Sequence, residues 1–179
     1  MENIFSTRQR IKILQTILFK TNSISVNNIA IQLRLSKGLI SKYFDILVRK
    51  EILKKVNGKF FVTDFPLVKG VKILLNIRGI NFKVFKKYPF IKTVGLYGSC
   101  AKGENTEDSD VDLWIKLKNI SEEKLAPVTS ELNKKMRNIK LLFLTNERVE
   151  KIKKEDSLFY HSLVFSSIVL YGDKDGIQV

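Results

Sequence analysis

Two aspartates one residue apart, Asp110 and Asp112, and a Gly98-Ser99 pair shortly before them are the residues of this sequence best suited to chemistry. In a β-strand, side chains at i and i+2 share a face, so the two carboxylates stand side by side while Val111, Leu113 and Ile115 turn to the core. Adjacent carboxylates repel each other. A hard divalent cation between them relieves that repulsion, and Mg²⁺ takes one or two carboxylates together with substrate phosphates. Gly98-Ser99 breaks the apolar run Val94 to Tyr97. Glycine at such a break lets the backbone approach a ligand closely, and successive N–H groups form a concavity for an anion. A helix near Cys100 to Gly103 would add its positive end. Phosphate binding beside acid-held metal is the chemistry this spacing predicts.

The stretch from Val94 to Lys116 resembles the nucleotidyltransferase superfamily typified by DNA polymerase β, and especially its small prokaryotic members, the minimal nucleotidyltransferases. Tyr97, Gly98-Ser99 and Asp110-Val111-Asp112-Leu113 carry the resemblance, extended by Gly98 through Gly103, with Lys102 for the family's arginine, and by Ser109 through Leu113. It implies an α/β (α+β) fold, a mixed sheet flanked by helices, and transfer of a nucleoside monophosphate to an acceptor hydroxyl with release of pyrophosphate. ATP is the expected nucleotide and Mg²⁺ or Mn²⁺ the expected metal. By the same resemblance Asp110 and Asp112 are catalytic and hold the metal, Gly98 and Ser99 bind the terminal phosphates, and Lys102 and Ser109 assist. The family often pairs with a helical partner protein; a homodimer is equally open.

One position departs from the family. Its active members carry a third carboxylate on the next long strand, and here Lys140 stands where that acid aligns. Three explanations remain open: a different register, replacement by Glu147 or Glu150, or nucleotide binding without efficient transfer. The alternative to a transferase is therefore a DNA-binding regulator with a nucleotide-sensing domain. Trp114 follows the acids and, by strict alternation, shares their face, either stacking on a base or packing under a helix. His161, the only histidine, is expected in a core or interface, and Cys100 is expected as a small packed residue beside the turn.

Among 179 residues, 44% hydrophobic and 28% charged, the net charge is +14, the balance of a folded protein. Residues 1–64 hold 12 Lys and Arg against 4 Asp and Glu, residues 65–97 hold 7 against none, and residues 98–179 hold 13 against 14. All of the excess precedes the acids, which suggests a polyanion-binding front half. The absence of a long apolar run and of a leader pattern, with a single cysteine, leads to a cytoplasmic expectation with no membrane partner.

Periodicity predicts three helices in the front half, capped at Ser6 or Thr7, at Ser25 and at Ser36, with only Arg34-Leu35-Ser36 between the second and third. A hairpin with an Asn57-Gly58 turn follows. Helices and hairpin together resemble the winged helix-turn-helix family of DNA-binding domains. That resemblance places Lys37, Ser41 and Lys42 on the outer face of the third helix and Lys54, Lys55 and Lys59 along the wing, as contacts to duplex DNA. Lacking arginine or asparagine for bidentate base readout, this set predicts weak sequence specificity. The expected domains are 1–64 for nucleic acid, 65–90 as a helical linker with a basic helix Phe82 to Lys87, and 91–179 for the nucleotide. In the last, strands Ile91 to Tyr97, Val111 to Lys116, Ile139 to Thr145 and Ile168 to Tyr171 alternate with helices Ser121 to Met136, Asn146 to Glu155 and Leu158 to Ser166.

Overall fold

The structure is a computed structural model that describes residues 4–118, 124–136, 138–172 and 177. The chain divides into two compact units, Met1–Leu75 with Thr106–Asp108, and Asn76–Asn105 with Ser109–Val179. Among the described residues no helix is long and apolar enough to cross a membrane.

In the first unit, α1 (Arg8–Ile17), α2 (Val26–Leu33) and α3 (Lys37–Arg49) precede a hairpin of β1 (Leu53–Val56) and β2 (Lys59–Val62). Each helix begins where a hydroxyl can take an orphan N–H: Thr7, Ser25 and Ser36 accept from Arg10, Asn28 and Leu39. Arg34, left-handed with φ 54°, ends α2 and turns the chain into α3. The hairpin turn has positive φ at Asn57 and Gly58, as a type I′ turn requires. The apolar faces of α1, α2 and α3 meet in one core with Phe60 of β2, where Phe44 and Phe60 pack edge to face with centroids 4.9 Å apart. An antiparallel bridge from Ile24 to Phe60 ties the hairpin to the start of α2. Helix α4 (Pro66–Gly79) follows, and its Val68, Val71 and Leu75 join this core.

The second unit is a four-stranded mixed sheet in the order β5-β4-β3-β6, formed by β3 (Ile91–Tyr97), β4 (Val111–Leu117), β5 (Ile139–Leu144) and β6 (Ile168–Tyr171). Only β4 and β5 run parallel. Their connection carries α6 (Leu125–Lys135), as a parallel crossover needs. Helix α5 (Gly98–Lys102) lies between β3 and β4, and α7 (Asn146–Glu155) and α8 (Ser157–Ser166) precede β6. The expected mixed α/β sheet with flanking helices is thus present. The expected basic helix Phe82 to Lys87 is reduced to a 3₁₀ turn, Phe85–Lys87, and the expected helix start at Ser121 lies outside the described residues.

Both faces of the sheet are covered. Val94, Leu96, Leu113 and Ile115 pack with Val84, Phe85, Val128 and Leu132, whereas Trp114 and Leu144 pack with Val149, Tyr160 and Leu163 of α7 and α8. Trp114 reaches that second core because Gly95 lies opposite it on β3. A Cβ on Gly95 would fall 2.2 Å from the indole.

Glu131 of α6 accepts from Lys87 (2.5 Å), Lys135 (2.6 Å) and the Tyr88 hydroxyl (2.9 Å). These bonds, Lys135 first, hold its carboxyl down to about 2 from the ordinary 4.5. A depressed carboxylate stabilises the fold above its unfolded pKa and loses that contribution as pH falls through the folded value. Glu131→Gln is therefore expected to lower the melting temperature at neutral pH, with the difference from wild type vanishing near pH 2. Paired thermal melts from pH 7 to pH 2 check this.

Candidate nucleotide site

Strand β3 ends at Tyr97, and the backbone turns at Gly98 with φ 68°. A Cβ at Gly98 would lie 2.5 Å from Asp112 Oδ2. Glycine is needed there twice, for the left-handed conformation and for the carboxylate standing over it. Ser99 follows in the first turn of α5, whose leading N–H groups lack intrahelical acceptors, and Gly103 closes the helix with φ 69°. Antiparallel pairing sets Tyr97 opposite Asp112, so the Gly98-Ser99 turn and the acids share one end of the sheet.

The parallel ladder then sets Lys140 beside Asp112, and the Lys140 ammonium lies 2.6 Å from Asp110 Oδ2. Burial pushes the Asp112 carboxyl above its usual range, Lys140 pulls it back, and Asp110 pushes it further up. The hydrogen bond and charge of Asp110 raise Lys140 in turn. The Cys100 thiol donates to the Asp110 carbonyl oxygen at 3.3 Å. Burial, then Asp112 and Asp110, pushes that thiol up to about 11, so Cys100 is a neutral packing group.

This donor set suits one divalent cation. Two neighbouring carboxylates can share it with phosphate oxygens, but among the described residues no group of three or more His, Cys, Asp or Glu is gathered to hold a metal. Lys140, beside both acids, contributes positive charge and not a further carboxylate. Of the proposed substitutes, Glu147 is not near. Glu147 lines a small hollow with Lys92, Leu117 and Lys118, five residues down β4 from Asp112 and about 16 Å away at ~3.3 Å per residue. The charge of Glu150 acts on Lys116.

The alternation predicted for β4 holds for Leu113 and Ile115, both buried, while Val111 is half-buried. The face bearing Asp112 is nevertheless apolar one step on. Trp114 is 0% exposed, which excludes base stacking and leaves packing under α7 and α8. His161 is not in a core: it is exposed on α8 and stacked on the exposed Phe165, with centroids 5.8 Å apart. Lys102 is exposed at the last position of α5, and Ser109 is half-buried ahead of Asp110.

On the first unit, Lys37, Ser41 and Lys42 are exposed along α3, and Lys54, Lys55 and Lys59 are exposed along the hairpin. Lys55 stands 5.5 Å over the Phe60 ring. Asp45, one turn after Ser41 and also exposed, interrupts the basic face of α3. Periodicity gave no sign of Asn76 and Asn105, whose amides hydrogen-bond to each other beside Cys100; the only signal was two asparagines outside any cap or turn.

Residues 82–175 match a family model described as polymerase beta, nucleotidyltransferase. No curated protein matches the chain. Solved structures similar to part of the chain include a mutant of the MntA–HpeT toxin–antitoxin pair, 14% identical, covering 52% of this chain and 71% of that one at a TM-score of 0.40. Another is a tri-AMPylated HEPN toxin with its MNT antitoxin from Shewanella oneidensis, 15% identical, covering 57% and 75% at 0.38. A candidate nucleotidyltransferase from Sulfolobus solfataricus is 17% identical, covering 60% and 86% at 0.38. The family match takes in more than half of the chain, including the whole of β3, α5, β4 and β5, and by it this chain belongs to the polymerase β nucleotidyltransferase family.

Proposed function

We propose that the second unit binds a nucleoside triphosphate, ATP as the first choice, at the Gly98-Ser99 turn, and transfers its nucleoside monophosphate to an acceptor hydroxyl. The observation that carries this is the apposition of Gly98 and Asp112, a phosphate turn against a metal-competent carboxylate. Asp110 and Asp112 would hold Mg²⁺, which when bound neutralises triphosphate charge and polarises the reacting phosphate. The chain's own part is positioning: the turn's N–H groups take the terminal phosphates, and Lys102 and Ser109 assist at its margins. Incubation with α-labelled ATP, Mg²⁺ and a cell lysate tests the proposal. Labelled product, lost in the acid variants, is expected; no transfer together with no ATP affinity would overturn it.

A second reading is favoured by the Lys140–Asp110 pair: nucleotide is bound and sensed without efficient transfer, because an ammonium stands where a base and second metal would act. Lys140→Asp separates the two. If Lys140 suppresses transfer, the variant should raise its rate about 10²-fold or more, the scale of one general base, and steepen its Mg²⁺ dependence. A wild type that already transfers readily, with an unchanged rate in the variant, removes the sensing alternative.

For the first unit we propose a winged helix-turn-helix that holds duplex DNA, with Lys37, Ser41 and Lys42 of α3 in or beside the groove and Lys54, Lys55 and Lys59 on the backbone. The three-helix and hairpin order and the exposure of all six residues support it. Affinity for random-sequence duplex should then fall steeply between 50 and 200 mM salt, by roughly 10³-fold if about six phosphates are contacted. Exchanging Lys54, Lys55 and Lys59 for glutamine should reduce the log–log salt slope by about three. Fluorescence anisotropy across a salt series measures both, and a flat salt response counts against DNA as the partner.

A further inference from the structure

The phosphate turn sits on a helix too short to hold itself, since α5 has five residues and isolated helices of that length do not persist. Something else must keep it in place. Asn76, near the end of α4, uses both hydrogens of its amide: Nδ2 donates to the Cys100 carbonyl oxygen at 2.9 Å and to Asn105 Oδ1 at 2.9 Å. Asn105 Nδ2 returns a bond to Asn76 Oδ1 at 3.1 Å, and Asn105 is buried. The Cys100 that Asn76 holds also donates its thiol proton to the Asp110 carbonyl oxygen at 3.3 Å. One hydrogen-bonded chain therefore runs from Asn105 through Asn76 and Cys100 to the backbone of the first acid. Its Cys100 lies between two left-handed glycines, Gly98 at the first position of α5 and Gly103 just after its end, where the backbone can hinge.

We propose that Asn76 is the positioning residue of the nucleotide site. Its two-pronged amide pins Cys100, and through Cys100 it sets both the Gly98-Ser99 turn and the main chain at Asp110. Asn76 touches neither nucleotide nor metal, so its effect is on the geometry presented to them. Asn105 serves as the acceptor that aims the Asn76 amide. The inference rests on the nucleotide reading for its effect on affinity, while its effect on the turn stands apart from it.

The variants Asn76→Asp and Asn105→Asp separate positioning from packing and from charge. Asn76→Asp has no hydrogens for Cys100 or Asn105 and leaves a part-buried carbonyl oxygen unpaired. Asn105→Asp introduces the same charge in the same pair and loses the bond returned to Asn76 Oδ1, yet it keeps an oxygen to accept from Asn76 and leaves the Asn76 bond to Cys100 in place. Cys100, the only cysteine of the chain and buried, reports on the turn through its reaction rate with a disulfide reagent under native conditions. MgATP affinity by titration calorimetry reports on the site.

The expected result is that Asn76→Asp, folded by circular dichroism, labels Cys100 about tenfold faster and binds MgATP about tenfold more weakly, the weight of one lost hydrogen bond. Asn105→Asp, which loses the bond to Asn76 Oδ1 but keeps the Asn76 bond to Cys100, should show a clearly smaller change than Asn76→Asp in both. Should Asn76→Asp fail to fold, Asn76→Ala carries the same expectations. Wild-type labelling rates in the Asn76 variants would overturn the inference, as would equal effects of the two aspartates, which would reduce the pair to packing. If wild type binds no MgATP, the function proposed above falls and the thiol rates alone decide the role of Asn76.

Discussion

Replacing Asp110 and Asp112 together by asparagine is expected to abolish the Mg²⁺-dependent part of ATP affinity and to lower any nucleotidyl transfer by about 10³-fold or more, the several kcal/mol that a positioned cation supplies to a phosphoryl centre. Asparagine keeps the shape of both side chains and removes only the charge, so the turn at Gly98 stays open beside residue 112. The single variants should differ. Asp110 is already neutralised by Lys140 at 2.6 Å, whereas Asp112 stands over the turn itself. Asp112→Asn should therefore cost the larger share. Stability should move the other way: the Asp110–Lys140 pair is solvent-exposed enough to contribute little, and Asp112 is desolvated beside a like charge, so the metal-free double variant should melt at the wild-type temperature or slightly above it. Calorimetric titration of ATP with Mg²⁺ and with chelator, beside thermal melts, measures both effects. Unchanged Mg²⁺-dependent affinity in the double variant would remove these acids from the site.

Gly95→Ala should be the most destabilising single methyl added anywhere on the sheet's centre. Its Cβ would lie 2.2, 2.3 and 2.4 Å from three atoms of the Trp114 ring, distances at which one side must move. The ring has nowhere to go, being fully buried against Leu144, Val149, Tyr160 and Leu163. Overpacking of this kind costs about 1–3 kcal/mol and more where relaxation is blocked, and the upper end applies because Gly95 and Trp114 are direct cross-strand partners. Trp114→Phe in the Gly95→Ala background should recover part of the loss, giving a coupling of about 1 kcal/mol or more in a double-mutant cycle. Urea denaturation of the four proteins reads this directly. A Gly95→Ala midpoint equal to wild type would mean that the indole does not lie over Gly95. Because β3 leads into Gly98 and β4 carries Asp112, the same variant should weaken ATP binding while leaving the fold of residues 4–62 intact.

What could be read along the chain was what local geometry decides. Two aspartates at i and i+2 share a strand face wherever the strand lies. A glycine breaking an apolar run permits a left-handed turn, and Thr7, Ser25, Ser36 and Asn57-Gly58 act on their own neighbours in sequence. The helices and the hairpin follow from such short-range signals, since propensity, capping and turn chemistry involve residues at most four apart, while the mixed sheet was implied by the resemblance that Gly98-Ser99 and Asp110 to Leu113 carry. Register between strands and the cover over a face involve residues far apart in sequence, and there only the tertiary structure could decide. It set Lys140 against Asp110 and sent Glu147 to the far end of β4. It buried Trp114 under α7 and α8, a placement that alternation left undecided because a strand covered on both faces carries apolar residues on each. The Asn76–Asn105 pair is non-local in the same way: neither asparagine caps a helix or makes a turn, and each acquires a role only when Asn76 and Asn105, 29 residues apart, are brought together.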